Sequence, residues 1–412
     1  MNRATQLSHF ADQDPSNPSL LCDLLDELLS ADLVDDAVTR IRLAPQELRR
    51  LPAVKFREAR CAMLRGESAE VVEILQPLIE NMPDVPAGVT HDVAYAQLVL
   101  GQPDKALATL GRADSAGEDG VAIGLLKARI LHRLQQFDAA LDALASLSGG
   151  ARQAEIHGVR ALVLLDAGDT TRASSEAEKA LALDPQQHEA ALVRGTVALW
   201  DQQTQVSTET FEHVLADHPR SGRALLGLGQ CLMLRGDIPV AHGLLERASV
   251  EIPDHIGTWH ALAWCQLIQG DLSGAKRSFD RAFAIDRTFG ETHGGFALVF
   301  ALRGERAQAE ESIKRATRLD PKGRSALYAR SVLLLDDGHT EAAVQVVQSA
   351  LLTTRGLAVD VSIDFLYRLR DIVRPRSRQW IAIPRCICWP RRCSQRRRSP
   401  RPFCWRHSWS VW

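Results

Sequence analysis

The sequence predicts an all-α protein built from stacked helix pairs, and two observations lead to that prediction. The first is composition: Ala and Leu dominate the 412 residues while aromatic residues make up only 5%, which suits packed helices better than sheets. The second is an internal repeat with a period of about 34 residues. A period of this length is typical of a unit that forms two helices and buries its apolar faces against its neighbours.

Ten units can be aligned on the Gly and polar residues that separate the helical segments. They begin near Pro18, Pro52, Ala87, Val121, Ala154, His188, Gly222, Ile256, Gly290 and Arg324. The spacing between these starting points is constant apart from two compensating slips of one residue. Regularity of this kind over the length of the chain is not expected by chance, so the repeat determines the fold.

Four positions of the unit show what each segment does. The eighth residue is small in nine units and the twentieth is Ala in eight, which would let two antiparallel helices approach closely. The fifteenth residue is Gly in seven units, where the first helix would end and the chain reverse. Pro at the thirty-second position closes five units and would stop the second helix.

One unit shows the pattern most completely, with Trp259, Leu262, Ala263, Gly270, Ala275, Phe279 and Ala282. These residues resemble the tetratricopeptide repeat family, whose signature is W-x2-L-G-x2-Y followed by A-x3-F and P. The resemblance implies a right-handed superhelical solenoid of antiparallel helix pairs, with a concave groove lined by the first helix of each pair. Its first unit is degenerate. In the sixth unit Gln202 replaces the turn glycine and Ser207 replaces the alanine, so the pattern predicts a turn less clearly there.

We expect four segments along the chain. Residues 1–17 would be an N-terminal extension, 18–355 the solenoid, 356–373 a capping helix and 374–412 a separate tail. The tail holds 11 Arg with no Lys and no acidic residue, together with four of the eight Cys and five of the eight Trp. The remaining 38 basic and 51 acidic residues lie in 1–373 and give that part of the chain a net charge of −13.

Three interpretations of the tail are open. Cys386, Cys388, Cys393, Cys404 and His407 could form a metal cluster, although their spacing matches no familiar zinc site. The Arg run at 396–398 with nearby Trp could bind nucleic acid or an anionic surface. We favour the third interpretation, in which the segment is an out-of-frame sequence and is disordered, because its composition is typical of a G+C-rich gene translated in the wrong frame.

The resemblance also implies which residues line the groove, because positions 2, 5, 9, 12 and 13 of each repeat tend to face it in this family. The candidate partner-binding residues are Phe56, Arg60, His91, Tyr95, Arg129, His132, Arg133, Trp200, His260 and Trp264. They predict a basic, aromatic stretch in repeats two to four and an apolar stretch in repeats six to eight. We therefore expect an acidic partner segment, and expect that reversing Arg129 and Arg133 affects binding and leaves stability unchanged.

No catalytic motif has a convincing spacing, and the His residues lack companions at metal-ligand spacing. We therefore expect a cytoplasmic, non-catalytic scaffold that binds a protein or peptide, with no cofactor, no bound metal, no small-molecule substrate, no membrane span and little affinity for nucleic acid. The alternative is the N-terminal part of a larger enzyme, such as a transferase, whose catalytic domain is missing after about residue 373.

Overall fold

Helices make up all the regular secondary structure that is described in this protein. The structure, a computed structural model, describes residues 3–81, 85–111, 118–148, 150–321 and 323–351. Helix is the only regular element in these ranges, and the helices pack in adjacent pairs. The predicted all-α class and the paired-helix architecture are confirmed. The predicted capping helix over 356–373 and the tail over 374–412 lie outside the described residues.

The helices fall into two compact parts, divided between Ala190 and Ala191. We call these parts the first and the second unit, and we call the 34-residue element a repeat. The first unit contains α1 (Arg3–Gln13), α2 (Pro18–Ser30), α3 (Val34–Leu43), α4 (Gln46–Arg49), α5 (Pro52–Leu64), α6 (Ser68–Asn81), α7 (Ala87–Val99), α8 (Pro103–Leu110), α9 (Glu118–Arg133), α10 (Phe137–Ala145), α11 (Gln153–Asp166) and α12 (Thr170–Leu183). The division lies within α13 (His188–Trp200). The second unit continues with α14 (Thr204–Asp217), α15 (Gly222–Arg235), α16 (Ile238–Glu251), α17 (Ile256–Gln269), α18 (Leu272–Ile285), α19 (Gly290–Arg303), α20 (Arg306–Leu319), α21 (Arg324–Asp336) and α22 (Thr340–Leu351).

The pair α17–α18 shows why the sequence forms two helices with a tight turn. Gly270 ends α17 in the left-handed conformation, with φ of 81°, and its N–H donates to the carbonyls of Gln266 and Leu267. Asp271 then caps α18, because its side chain accepts a hydrogen bond from the N–H of Gly274 at 2.8 Å. A glycine after the first helix and a short acceptor before the second therefore reverse the chain with the terminal N–H groups satisfied.

The same turn conformation recurs in all ten repeats, whatever residue occupies the position. The fifteenth residues, all with positive φ, are Asp32, Gly66, Gly101, Gln135, Gly168, Gln202, Gly236, Gly270, Gly304 and Gly338. Gln202, which replaces the glycine in the sixth repeat, has φ of 63°. The turn of the sixth repeat therefore has the same left-handed residue as the repeats that carry glycine there.

The eighth and twentieth positions of a repeat meet where its two helices cross. In the sixth repeat the Ser207 hydroxyl donates to the carbonyl of Gly195 at 2.8 Å, and in the tenth repeat the Ser331 hydroxyl donates to the carbonyl of Ala343 at 3.4 Å. Backbone and side chain can approach this closely only when both positions carry small residues. The predicted function of these small positions is therefore observed.

Phe211 illustrates how neighbouring repeats of the second unit share a core. Its buried ring lies against α13 and α15, in spaces that only glycine leaves open. A Cβ atom at Gly195 would lie 2.7 Å from this ring, and one at Gly227 would lie 2.2 Å from it. The close fit fixes the spacing between consecutive first helices, which in turn determines how much of each first helix a partner could reach.

Candidate partner-binding surface

The first helices of the first unit carry apolar side chains that the fold leaves exposed. Tyr95 and Val99 on α7 are 45% and 57% exposed, and Leu64 on α5 is 54% exposed. Tyr95 and Val99 are four residues apart and share one side of α7. We call the surface formed by Phe56, Arg60, Leu64, Tyr95, Val99, Arg129, His132 and Arg133 the first-helix face.

Helical periodicity explains why α7 has one exposed side. Val93, Ala94 and Ala96 are buried, whereas Tyr95 between them points away from the core. On α5, Ala59 is buried and Phe56 is half-buried against the same apolar cluster. The core side of each helix is thus filled by small and aliphatic residues, and the larger Tyr95 lies on the opposite side, partly exposed.

Arg129, one of the residues of the predicted basic stretch, is held by two carboxylates of later helices. Its Nη2 lies 2.6 Å from Oε1 of Glu189 and 2.9 Å from Oε1 of Glu155. Burial alone would raise the pKa of Glu189, but the charge and hydrogen bonds of Arg129 more than offset it and hold the pKa of that carboxyl below its usual value. Arg129 therefore joins α9, α11 and α13, and its charge is already neutralised.

The histidines of the first-helix face and its surroundings also have acidic neighbours. Nε2 of His132 lies 2.7 Å from Oδ2 of Asp166, and Nδ1 of His91 lies 3.2 Å from Oδ1 of Asp92. Arg133, at the end of α9, is exposed. The predicted basic stretch is thus present in the sequence, but acidic residues of the same unit compensate much of its charge.

His260 and Trp264, which were predicted to contact a partner in the second unit, are buried. His260 has no exposed surface, its Nε2 lies 2.8 Å from the Thr292 hydroxyl, and burial lowers its pKa to about 3. Trp264 is 6% exposed, and its ring meets Tyr328 edge-to-face with centroids 5.9 Å apart. The prediction that these two side chains are accessible to a partner was wrong.

The cause is the close approach of first helices in the second unit. A Cβ atom at Gly294 of α19 would lie 2.8 Å from the backbone nitrogen of Ala326 on α21. Residues of α15, α17, α19 and α21 consequently join one apolar cluster. Leu226, Met233 and Leu267 of the predicted apolar stretch belong to this cluster, and Leu192 and Leu199 are buried as well. Trp200, at the end of α13, is half-buried.

Two apolar residues of the first-helix face were not among the predicted site residues. Leu64 and Val99 occupy the thirteenth position of successive repeats, a position that the family resemblance assigns to the groove. The register therefore contained the signal. The prediction from the sequence did not include them, because exposed aliphatic residues are common and carry little information one at a time.

The described cysteines are poor nucleophiles. Burial raises the pKa of Cys61 and Cys231, and that of Cys265 to about 12, so each is a neutral thiol at neutral pH. Sγ of Cys231 donates to the Ser207 hydroxyl at 3.2 Å inside the core. In the described ranges, no group of three His, Cys, Asp or Glu residues is arranged to hold a metal ion.

A cleft of 400 Å³ lies between α18, α19 and α20 of the second unit. The rings of Phe283, Phe296 and Phe300 are part of its lining. Each wall carries one ion pair within a helix, Lys276 with Asp280 on α18 and Glu311 with Arg315 on α20. The charges on the two walls cancel, so the cleft favours neither anionic nor cationic ligands.

Comparison with a family model identifies the repeat. The model of the tetratricopeptide repeat matches three stretches of the chain, residues 159–206, 201–256 and 296–356. These three stretches are tetratricopeptide repeats. The matched stretches contain part of α11, all of α12 to α16, part of α19 and all of α20 to α22.

Three solved structures are among those similar to this chain. The structure of the APC/C hetero-tetramer Cut9–Hcn1 is 14% identical, covers 90% of this chain and 85% of that chain, and has a TM-score of 0.48. The human IFIT1 dimer with m7Gppp-AAAA is 15% identical, with coverages of 82% and 90% and a TM-score of 0.49. YrrB, a TPR protein with an unusual peptide-binding site, is 21% identical, with coverages of 47% and 97% and a TM-score of 0.34. At TM-scores below 0.5, these similarities indicate no partner for this chain.

A search of the curated proteins found no match to the sequence. Within the part of the chain that the structure describes, none of the helices has the length and apolar character needed to cross a membrane.

Proposed function

We propose that this tetratricopeptide repeat protein is a non-catalytic scaffold that binds a segment of another protein on the first-helix face of its first unit. The observation that supports this proposal most is the exposure of Tyr95, Val99 and Leu64 at groove positions of successive repeats. Aromatic side chains with one accessible face are frequent anchors of protein interfaces. Burying them under a partner removes apolar surface from water, which stabilises the complex by about 25 cal/mol per Å² of that surface.

The second unit supports the choice of surface by contrast. His260 and Trp264 occupy groove positions of α17, but the neighbouring first helices already cover them. Their apolar surface contributes to folding and is not available for binding. A partner segment would therefore find accessible anchors on α5 and α7.

We also propose that the protein works in a reducing compartment such as the cytoplasm. Cys22, Cys61, Cys231 and Cys265 are free thiols. Three of them are buried in separate parts of the core, where they behave as small apolar residues. Free, unpaired cysteines of this kind fit a compartment in which thiols stay reduced.

Site-specific photo-crosslinking tests the proposed surface. A photo-reactive phenylalanine analogue is placed at Tyr95 of the full chain, which is then irradiated in an extract of its source cells. We expect discrete adducts that an excess of unlabelled parent chain suppresses. The matched control carries the analogue at Val240, which is 60% exposed on the second helix α16.

The control decides how an adduct is interpreted. A scaffold that uses the first-helix face forms adducts at Tyr95 and none of the same mass at Val240. Equal yields from both positions would show non-specific contact, and the absence of any adduct at Tyr95 would contradict the proposed surface.

A further inference from the structure

Helix α5 and its cap contain four basic residues, of which three have an acidic partner among the described residues and one has none. The paired residues are Lys55 with Glu58 at 2.6 Å, Arg57 with Asp26 at 2.5 Å, and Arg65 with Glu67 at 2.8 Å. Arg60 is exposed, and no ion pair or hydrogen bond joins its side chain to the described residues. The fold thus uses the other three charges and leaves Arg60 with unused hydrogen-bond donors.

Tyr95 has the corresponding position on the next first helix. Both residues are the ninth of their repeats, so they lie on the same side of α5 and α7. The Tyr95 hydroxyl, like the Arg60 guanidinium, has no hydrogen-bond partner among the described residues. One cationic group and one aromatic ring with a polar end are therefore presented together, with Leu64 and Val99 exposed one turn further along each helix.

The contrast with Arg129 locates the charge that a partner can use. Arg129 has the ninth position two repeats after Arg60, but Glu155 and Glu189 already bind it. An acidic group of a partner would have to displace these carboxylates at Arg129. At Arg60 it meets a guanidinium whose donors suit a carboxylate in a two-point arrangement.

The net negative charge of the chain before the tail does not prevent this interaction. Salt at physiological concentration screens exposed charges over about 8 Å, so an acidic group at Arg60 is affected mainly by its immediate surroundings. Net charge reduces the rate of encounter with an acidic segment, whereas the local cation and apolar residues determine the bound geometry.

We propose that the segment bound by the first-helix face is an acidic–apolar peptide. Its carboxylate pairs with Arg60, and a neighbouring aromatic or aliphatic side chain packs on Tyr95 and Val99. This inference rests on the proposed function and adds the chemistry of the partner. It also moves the expected acidic contact from Arg129 and Arg133 to Arg60.

The test is selection from a displayed library of random 12-residue peptides against the full chain. We expect the selected pool to be enriched in Asp or Glu next to aromatic or aliphatic residues. Synthetic peptides from the pool are then titrated by fluorescence anisotropy. The charge reversal Arg60→Glu should weaken their binding about tenfold, since it removes one ion pair and adds a repulsion. Selection against the Arg60→Glu chain should return peptides with Lys or Arg in place of the acidic residue.

The control is Arg277→Glu, an equal change of charge at an exposed residue on α18 of the second unit. It should leave peptide affinity unchanged, and both variants should keep the melting temperature of the parent. Two further variants, Tyr95→Ala and Val99→Ser, separate this inference from the proposed function.

The outcomes distinguish a failure of the acidic–apolar inference from a failure of the proposed function. If the peptides lose affinity with Tyr95→Ala and Val99→Ser but bind Arg60→Glu as well as the parent, the first-helix face is the binding surface and the acidic–apolar inference is wrong. A pool without acidic enrichment leads to the same conclusion. If no peptide is selected, or if none of the three substitutions on the face matters, the proposed function fails as well.

Discussion

Arg129 and Glu189 form an ion pair across 60 residues of sequence. Nε and Nη2 of Arg129 lie 3.0 and 2.6 Å from the same carboxylate oxygen of Glu189. The other oxygen of Glu189 accepts a hydrogen bond from the side chain of Gln187 at 2.6 Å. Both carboxylate oxygens are therefore bound, and the pair connects the first helix of the fourth repeat to the start of the first helix of the sixth.

The substitution Arg129→Gln should lower the stability of the chain. It leaves the largely buried Glu189 carboxylate without its cation, and we expect a loss of about 2 kcal/mol in the free energy of unfolding. Denaturant titration measures it. The control Lys127→Gln changes an exposed residue of the same helix and should alter stability by less than about 0.5 kcal/mol.

This expectation corrects the prediction made from the sequence. The sequence alone suggested that charge reversal at Arg129 would affect binding and not stability. The structure predicts the opposite for Arg129, since Glu would bring three carboxylates together. A variant as stable as the parent would show that the ion pair contributes nothing.

Stability at mildly acidic pH should depend on His260. Its pKa is about 3 in the folded chain, because burial disfavours the charged ring, against about 6.5 in the unfolded chain. The unfolded chain therefore binds a proton below pH 6.5 that the folded chain does not. The contribution of His260 is fully present above pH 6.5 and decreases by about 1.4 kcal/mol per pH unit as the pH falls towards 3.

The variant His260→Phe should remove this component of the pH dependence. It keeps an aromatic ring beside Phe279 and Phe289 but cannot bind a proton. Its absolute stability can change, because Thr292 loses a hydrogen bond, so the informative quantity is the slope of stability between pH 6.5 and 4.5. The control His213→Gln removes an exposed histidine and should keep the slope of the parent. Parallel curves for the parent and His260→Phe would contradict the assignment.

The features that the sequence predicted correctly are those set by one repeat. Gly270 ends a helix because its own backbone favours the left-handed conformation, and the small residues at Gly195 and Ser207 meet within one pair. The features that it missed depend on how separate repeats approach each other. Burial of Trp264 follows from its contact with Tyr328, 64 positions later in the chain, which the local pattern does not encode.

The substitution Gly227→Ala should destabilise the second unit. The added methyl group would lie 2.2 Å from the Phe211 ring, which is buried and has little room to move. We expect a cost of about 1–3 kcal/mol, even though Ala favours a helix more than Gly does. The control is Gly243→Ala on α16, where nothing lies within 4 Å of the added carbon.

The two glycine variants should change stability in opposite directions. Both introduce the same methyl group into a helix and have the same effect on the unfolded chain. Gly243→Ala should gain about 0.5–1 kcal/mol from helix propensity alone. If Gly227→Ala also stabilises the chain, the close packing of α15 on Phe211 is not present in solution.

The last prediction concerns Gln202, which adopts the left-handed conformation where seven other repeats have glycine. The N–H of Gln203 donates to the carbonyl of Ala198 at 2.8 Å, and that of Gln202 donates to Leu199 at 3.1 Å, so the turn is closed in the usual way. A side chain in this conformation costs about 1–2 kcal/mol. Gln202→Gly removes that strain, but the greater freedom of Gly in the unfolded chain offsets part of the gain.

A matched variant separates the two effects. Gln308→Gly makes the same chemical change at an exposed residue of α20, so the unfolded chain gains the same freedom. Gln308→Gly should cost about 1 kcal/mol, because Gly is a poor helix former, whereas Gln202→Gly should be neutral or stabilising. The difference between their unfolding free energies, measured by denaturant titration, should therefore be about 1–2 kcal/mol in favour of Gln202→Gly. Equal losses from the two variants would mean that Gln202 bears no strain and that the turn of the sixth repeat tolerates any residue.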